Sequence, residues 1–156
     1  MMRGCESERL VAFRFFSRPL LIFFVQEPYS IFTYRYFVHD WPDLTWLACD
    51  GDKIIGSVVC EIKERKGRLR GYIAMLSVDP EYRRRGIAQD LVLQCLRVMQ
   101  EAGCYMAMLE TEVINEKATN LYCKLGFQKD KLLFRYYLNG GDAWRLKLAL
   151  SQPPKQ

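Results

Sequence analysis

The stretch YIAMLSVDPEYRRRGIA, Tyr72 to Ala88, joins an apolar run to the start of a helical pattern through a loop of arginines. Ile73 to Val78 reads as a strand and Asp79-Pro80 breaks it. Tyr82-Arg83-Arg84-Arg85 then leads to Gly86, after which apolar residues recur at helical spacing. Such an order makes an anion cradle. The first amides of a helix have no intrahelical partner, the helix dipole favours negative charge beside them, and glycine lets backbone approach a phosphate with no Cβ between. Neither G-x-x-x-x-G-K-[ST] nor G-x-G-x-x-G occurs in the chain. Taken alone, Arg83 to Ala88 reads equally well as a basic turn ahead of an ordinary helix.

Working outward, 156 residues suit one domain with a sizeable core. Half the residues are hydrophobic and 26% charged, the balance of a globular chain rather than a disordered one. The net charge of +5 suits an anionic ligand without requiring nucleic acid. Six cysteines (Cys5, Cys49, Cys60, Cys95, Cys104, Cys123) include no C-x-x-C pair and fall within expected strands and helices, so buried reduced thiols are expected rather than a disulfide framework. One histidine, His39, makes no metal site, and no metal is expected.

In chain order, residues 1–26 form an atypical segment with a possible first strand, Leu10 to Phe16. Its apolar run Leu20 to Val25 is far short of the ~20 residues of a membrane helix. Glu27-Pro28-Tyr29-Ser30 is a loop, and Ile31 to Trp41 a helix ended by Pro42. Leu44 to Asp50 and Ile54 to Lys63 read as a hairpin about Gly51, and Gly67 lies in a charged turn before the strand Arg70 to Val78. A helix from Ile87 ends near Gly103, and Tyr105 to Leu109 is a short strand running into Glu110-Thr111-Glu112. Asn115 caps a second helix ending at Gly126, Phe127 begins the next strand, clearest from Leu132 to Leu138, and Ala143 to Leu150 returns after Asn139-Gly140-Gly141. Residues 27–150 thus form a mixed α/β domain and 151–156 a polar tail. Its ligand loop sits at the carboxyl end of a strand, where open α/β sheets bind ligands.

Arg83-x-x-Gly86-x-Ala88 resembles the pyrophosphate-binding loop of the GNAT acetyltransferases, (Arg/Gln)-x-x-Gly-x-(Gly/Ala). Three further stretches resemble the N-terminal acetyltransferase branch: Asn115-x-x-Ala118-x-x-Leu121-Tyr122 with Gly126-Phe127, Arg70 to Val78, and Phe134-Arg135-Tyr136-Tyr137-Leu138-Asn139-Gly140. With Glu27-Pro28-Tyr29-Ser30 and Leu109-Glu110-Thr111-Glu112, they are similar to the catalytic subunits of N-α-acetyltransferase C (NatC) complexes. The likeness runs from Glu27 to Leu150; residues 1–26 match neither the first strand nor the first helix of that family. It implies the GNAT fold, a mixed, mostly antiparallel sheet splayed between its fourth and fifth strands and flanked by helices. It implies acetyl-CoA as co-substrate, held by Leu76, Ser77, Val78, Arg83, Arg84, Arg85, Gly86, Ile87, Ala88, Asn115 and Tyr122. It implies as substrate a nascent chain beginning with Met and a bulky apolar residue, bound by Glu27, Tyr29, Tyr72, Tyr136 and Tyr137. The partners implied are a large ribosome-anchoring subunit and a small third subunit, in the cytoplasm, with no membrane and no sequence-specific nucleic acid.

The chemistry adds roles. An α-amine of pKa about 7.7–8.0 is partly neutral at pH 7 and needs no strong base. Glu110 is the candidate base, through a water, with Glu112 able to share the work if the strand continues; the plain alternative is a pair of surface carboxylates. Tyr122 is the candidate acid toward the leaving thiolate, and a core tyrosine its plain alternative. A backbone N–H near Leu76 is a candidate oxyanion donor. Direct attack in a ternary complex is expected. A GNAT acting on a small amine, a catalytically weak interaction subunit and a nucleic-acid module built on Arg83-Arg84-Arg85 are the other readings.

Overall fold

Among the described residues, Lys53–Arg65 is the most deeply buried strand, with nine consecutive buried positions from Ile54 to Ile62. A run of that kind, rich in β-branched residues, belongs to a strand covered on both faces. The computed structural model of the chain describes Ala12–Phe13 and residues 39–150. The strands are β1 (Ala12–Phe13), β2 (Thr45–Asp50), β3 (Lys53–Arg65), β4 (Arg68–Val78), β5 (Met106–Glu112), β6 (Gln128–Leu133) and β7 (Ala143–Ala149). They form one seven-stranded sheet in the order β1-β2-β3-β4-β5-β7-β6. Within the expected N-terminal strand, Ala12 and Phe13 pair with Ala48 and Leu47 of β2. The expected helix Ile31 to Trp41 lies mostly outside the described residues, as does the tail 151–156.

Every neighbouring pair is antiparallel except β4 and β5, which run parallel and pair only through Arg70↔Met106, Gly71↔Ala107 and Tyr72↔Met108. Beyond Tyr72 the two strands part, as the GNAT resemblance implied. Helix α1 (Ile87–Glu101) crosses between them and buries Ile87, Leu91, Val92, Cys95, Leu96 and Met99 against the sheet. It ends at Gly103, whose φ of +82° is the left-handed conformation that glycine adopts without a Cβ clash. Helix α2 (Glu116–Lys124) is capped by Asn115, whose side-chain oxygen accepts from the Ala118 N–H. It closes with a bond from Phe127 N–H to Tyr122 C=O around Gly126, at φ +97°.

Two expected boundaries move. β5 extends to Glu112 because Glu110, Thr111 and Glu112 pair with Arg145, Trp144 and Ala143 of β7. The strand expected to begin at Phe127 begins at Gln128 but stops at Leu133 rather than running on to Leu138, and residues 134–142 form a loop. Apolar and aromatic composition alone suggested a strand there. Local hydrogen bonds decide otherwise: Arg135, at φ +48°, donates its N–H to Asp142 Oδ1, Tyr137 donates to Gly141 C=O, and Gly140 donates to Tyr137 C=O. Of the cysteines, Cys60, Cys95 and Cys104 are buried free thiols, Cys49 is half-buried and Cys123 is exposed; Cys5 lies outside the described residues.

Gly71 sits where β4 passes under α1, and a Cβ there would collide with the Met99 side chain at its sulfur. Overpacking of a close contact costs about 1–3 kcal/mol. Gly71→Ala is therefore expected to lower the thermal unfolding midpoint by several degrees; an unchanged midpoint would show that α1 does not press on β4 as described.

Candidate active site

The arginine loop is held by backbone acceptors. Asp79 Oδ1 accepts from the Glu81 N–H and starts a 3-10 turn over Pro80–Tyr82. Arg83 Nε–H donates to Val78 C=O, and an Arg85 Nη2–H donates to Glu81 C=O while its guanidinium lies 4.8 Å from the Tyr82 ring centre. Lys53 approaches the same ring at 4.9 Å and pairs with Asp79 at 3.2 Å. Left-handed backbone at Arg84 (φ +62°) and Gly86 (φ +82°) turns the chain into α1. The first bond of that helix runs from Asp90 N–H to Gly86 C=O, and no side chain caps it. Its leading amides therefore point out of the helix end beside three exposed arginines, Arg83, Arg84 and Arg85. Ile87 is buried and anchors the helix end, with Ala88 half-buried next to it.

Where β4 leaves β5 a cleft of about 230 Å³ opens. One wall is Tyr72 to Leu76, the other Leu109 to Glu112, and Asn115, Ala118 and Tyr122 of α2 contribute from below. Antiparallel pairing with β3 sets which amides face it. Asp79 N–H bonds to Ile55 C=O, and hydrogen-bonded pairs alternate along a ladder. Ser77 opposite Ser57 and Met75 opposite Val59 are then the pairs bonded to β3. Leu76 and Val78 turn their backbone groups the other way, toward the gap left by β5. Ser77 gives its backbone to the sheet.

At the far wall Glu110 is nearly enclosed, its side chain 5% exposed, and it accepts from Arg145 Nε–H at 2.9 Å. Tyr72 lies against it: burial first, then the Glu110 carboxylate and the Tyr136 hydroxyl, push the Tyr72 phenol far above its ordinary pKa. Tyr136 and Tyr137 meet edge to face at 5.1 Å, and both line the cleft. Burial foremost, with smaller contributions from Cys60, Cys95 and Tyr137, likewise raises the Tyr122 phenol, which packs edge-on to Phe127. Glu112 Oε1 accepts from Asn139 Nδ2–H at 3.3 Å and ties the 134–142 loop to the end of β5.

Of the residues the sequence suggested, the structure brings Tyr72, Leu76, Glu110, Asn115, Tyr122, Tyr136 and Tyr137 to one cleft, with Glu112 beside them. Arg83 to Ala88 stand past the carboxyl end of β4. Glu27 and Tyr29 lie outside the described residues. Arg145 was not foreseen. Its signal is a cross-strand register, Glu110↔Arg145, and register cannot be read before the loop between the strands is known.

The family model "Acetyltransferase (GNAT) family" matches residues 11–127. N-alpha-acetyltransferase 30 of Xenopus laevis is 54% identical over 127 residues, covering 81% of this chain and 46% of that protein. The Homo sapiens protein of the same name is 54% identical over 127 residues, covering 81% of this chain and 35% of its own length. The chain thus spans less than half the length of either relative. Among solved structures, the NatC complex bound to Gag peptide and CoA contains a chain 48% identical to this one, with a TM-score of 0.78, covering 81% of this chain and 84% of that one.

The Glu110–Arg145 pair makes a direct prediction. Removing one partner of a buried charged hydrogen bond costs about 1–3 kcal/mol. Arg145→Met is expected to lose that much in urea unfolding, and adding Glu110→Gln to it should cost less than Glu110→Gln alone. Strict additivity would mean that the two groups are not coupled.

Proposed function

The chain belongs to the acetyltransferase (GNAT) family, and we propose that it is an N-terminal protein acetyltransferase that moves acetyl from acetyl-CoA to the α-amine of a peptide. One observation carries the reading: the parting of β4 from β5, with the uncapped amino end of α1 beside three arginines at one side and an enclosed carboxylate among tyrosines at the other. The residues present fit CoA. The amides ahead of Asp90 and the arginines at 83–85 suit a diphosphate, and the Leu76 and Val78 backbone suits the amides of a pantetheine arm laid along β4 in place of a strand. Acetyl-CoA supplies the activated thioester.

The chain's own groups then divide the work. The Leu76 N–H faces the position where a carbonyl oxygen would gain charge. Glu110, oriented by Arg145 and Tyr72, takes the amine's proton through a water. A buried carboxylate with no histidine beside it suits an amine that is already partly neutral: at pH 7 roughly a tenth of α-amines are, against fewer than about one in a thousand lysine side chains. Tyr122 keeps its proton throughout the physiological range because burial raises its pKa, so it stands as a hydrogen-bond donor to the departing sulfur. Among the described residues no cysteine lines the cleft, which supports direct attack in a ternary complex.

The likeness to NatC extends the proposal. The peptide enters beneath the 134–142 loop, with Tyr136 and Tyr137 as walls for Met and a bulky apolar residue, and Glu27 and Tyr29 completing the rim. Ile114, Phe134 and Leu138 are 85%, 76% and 111% exposed, which supports cover by peptide or by a partner. We assign as partners a large ribosome-anchoring subunit and a small third one, and the cytoplasm as the place of action.

Acetyl transfer to a Met-Leu peptide is expected to exceed transfer to spermidine or to an ε-lysine peptide by at least tenfold in kcat/KM. The rate should rise through pH 8 as the α-amine loses its proton. No falling limb is expected below pH 10, because both phenols titrate above their ordinary value. Turnover of spermidine alone would make the chain a small-amine enzyme, and CoA binding without turnover an interaction subunit. Tyr122→Phe should cut kcat by about 10²-fold with CoA affinity within twofold of the parent; undiminished kcat would remove Tyr122 from the reaction.

A further inference from the structure

At the end of the sheet opposite the arginine loop, β3 and β4 extend into a hairpin of sequence Lys63-Glu64-Arg65-Lys66-Gly67-Arg68-Leu69-Arg70. Its register places Lys63 opposite Arg70 and Arg65 opposite Arg68. Directly opposed side chains point to the same face, and so do residues two apart. Lys63, Arg65, Arg68 and Arg70 therefore stand on one face of the ribbon, while Glu64 and Leu69 fall on the other. Like charges facing each other across a ladder destabilise it, yet here two such pairs follow in succession. On that face Glu61 takes Lys63 at 2.7 Å, and Arg68 lies 3.9 Å over the Tyr105 ring. The turn is stiff, with Lys66 at φ +53° and Gly67 at φ +72°, the geometry of a two-residue hairpin. The proposed acetyl transfer uses none of these residues. From Arg68 to Val78 the strand carries the tip about 33 Å from the cofactor loop.

We infer that this face is a docking surface for the phosphodiester backbone of a nucleic acid strand, bound without sequence preference. Cations along each strand recur about every 6.7 Å, in two rows about 5 Å apart, a ladder suited to a linear polyanion. Three of the four are arginines, and Tyr105 offers a ring beside them. The tip itself is Lys66-Gly67 and carries no apolar group to enter a bilayer, where basic charge needs a second anchoring signal. The four opposed positions of the cationic face are all charged, whereas protein interfaces centre on apolar and aromatic anchors.

The test uses the full chain and fluorescence anisotropy with a labelled 20-nucleotide oligouridylate, and separately with oligodeoxythymidylate, from 50 to 200 mM KCl. Binding is expected with a log–log salt slope of about −2 to −3, since each neutralised phosphate of a single strand contributes about −0.7. The double substitution Arg65→Glu, Lys66→Asn should weaken binding at least tenfold and flatten the slope. Its unfolding midpoint should not fall, because a carboxylate at 65 faces Arg68 and asparagine suits a positive φ at 66, and acetyl transfer should be unchanged. The inference is overturned by no binding, by equal affinity in the double variant, or by loss of binding under saturating CoA, which would place the strand at Arg83–Arg85. It is overturned too if the substitutions abolish binding only to phosphatidylcholine–phosphatidylserine vesicles.

Discussion

Parallel pairing of β4 with β5 stops after Tyr72↔Met108, and that interruption governs the rest of the structure. A strand in the middle of a sheet has to place the N–H and C=O groups of both its edges. Beyond Tyr72, β4 stays paired along β3 and β5 along β7, with no ladder between β4 and β5. Leu76 and the Val78 N–H therefore border a vacant strand position between β4 and β5, while the Val78 C=O already accepts from Arg83 Nε–H. A ligand with amides of its own satisfies that edge as a peptide strand would, and so gains affinity from backbone with no specific side chain.

What keeps the strands apart is packing. Helix α1 must cross from the end of β4 to the start of β5, and its buried stripe from Ile87 to Met99 fixes its height above the sheet. Gly71 admits Met99 where the strands still touch. Farther along, Tyr122 and Ala118 of α2 occupy the space beneath the gap and give it a floor. The same crossover delivers the amino end of α1 to the mouth of the cleft. Cradle and groove are thus consequences of one connection, a strand that ends early on one side and a helix that begins there.

Much of this was legible in residue order. Arg83 to Gly86 announced the loop that leads into α1, and the wide apolar stripe behind it announced a helix lying on a sheet. Asn115 announced its cap and Gly103 and Gly126 their helix ends, because each conformation suits few residue types. The 134–142 loop was misread as strand because Phe134, Tyr136, Tyr137 and Leu138 have strand composition; their fate is decided by Asp142 and Asn139, side chains that capture backbone N–H groups. The partner of Glu110 was hidden for a related reason. Arg145 is 35 residues away, and its meeting with Glu110 depends on a register fixed only once that loop has closed. The hairpin at Lys66-Gly67 was legible as a charged turn, but the gathering of its cations on one face follows from cross-strand pairing.

The central claim is that the edge of β4 beyond Tyr72 and the amino end of α1 receive one continuous ligand. Amide-resolved NMR titration of the chain with CoA tests it most directly. The account predicts saturable shifts concentrated at Leu76, Val78 and residues 85–88, with the amides of Met75 and Ser77, which bond to β3, moving least along the strand. Shifts confined to the loop, with Leu76 and Val78 unmoved, would contradict it.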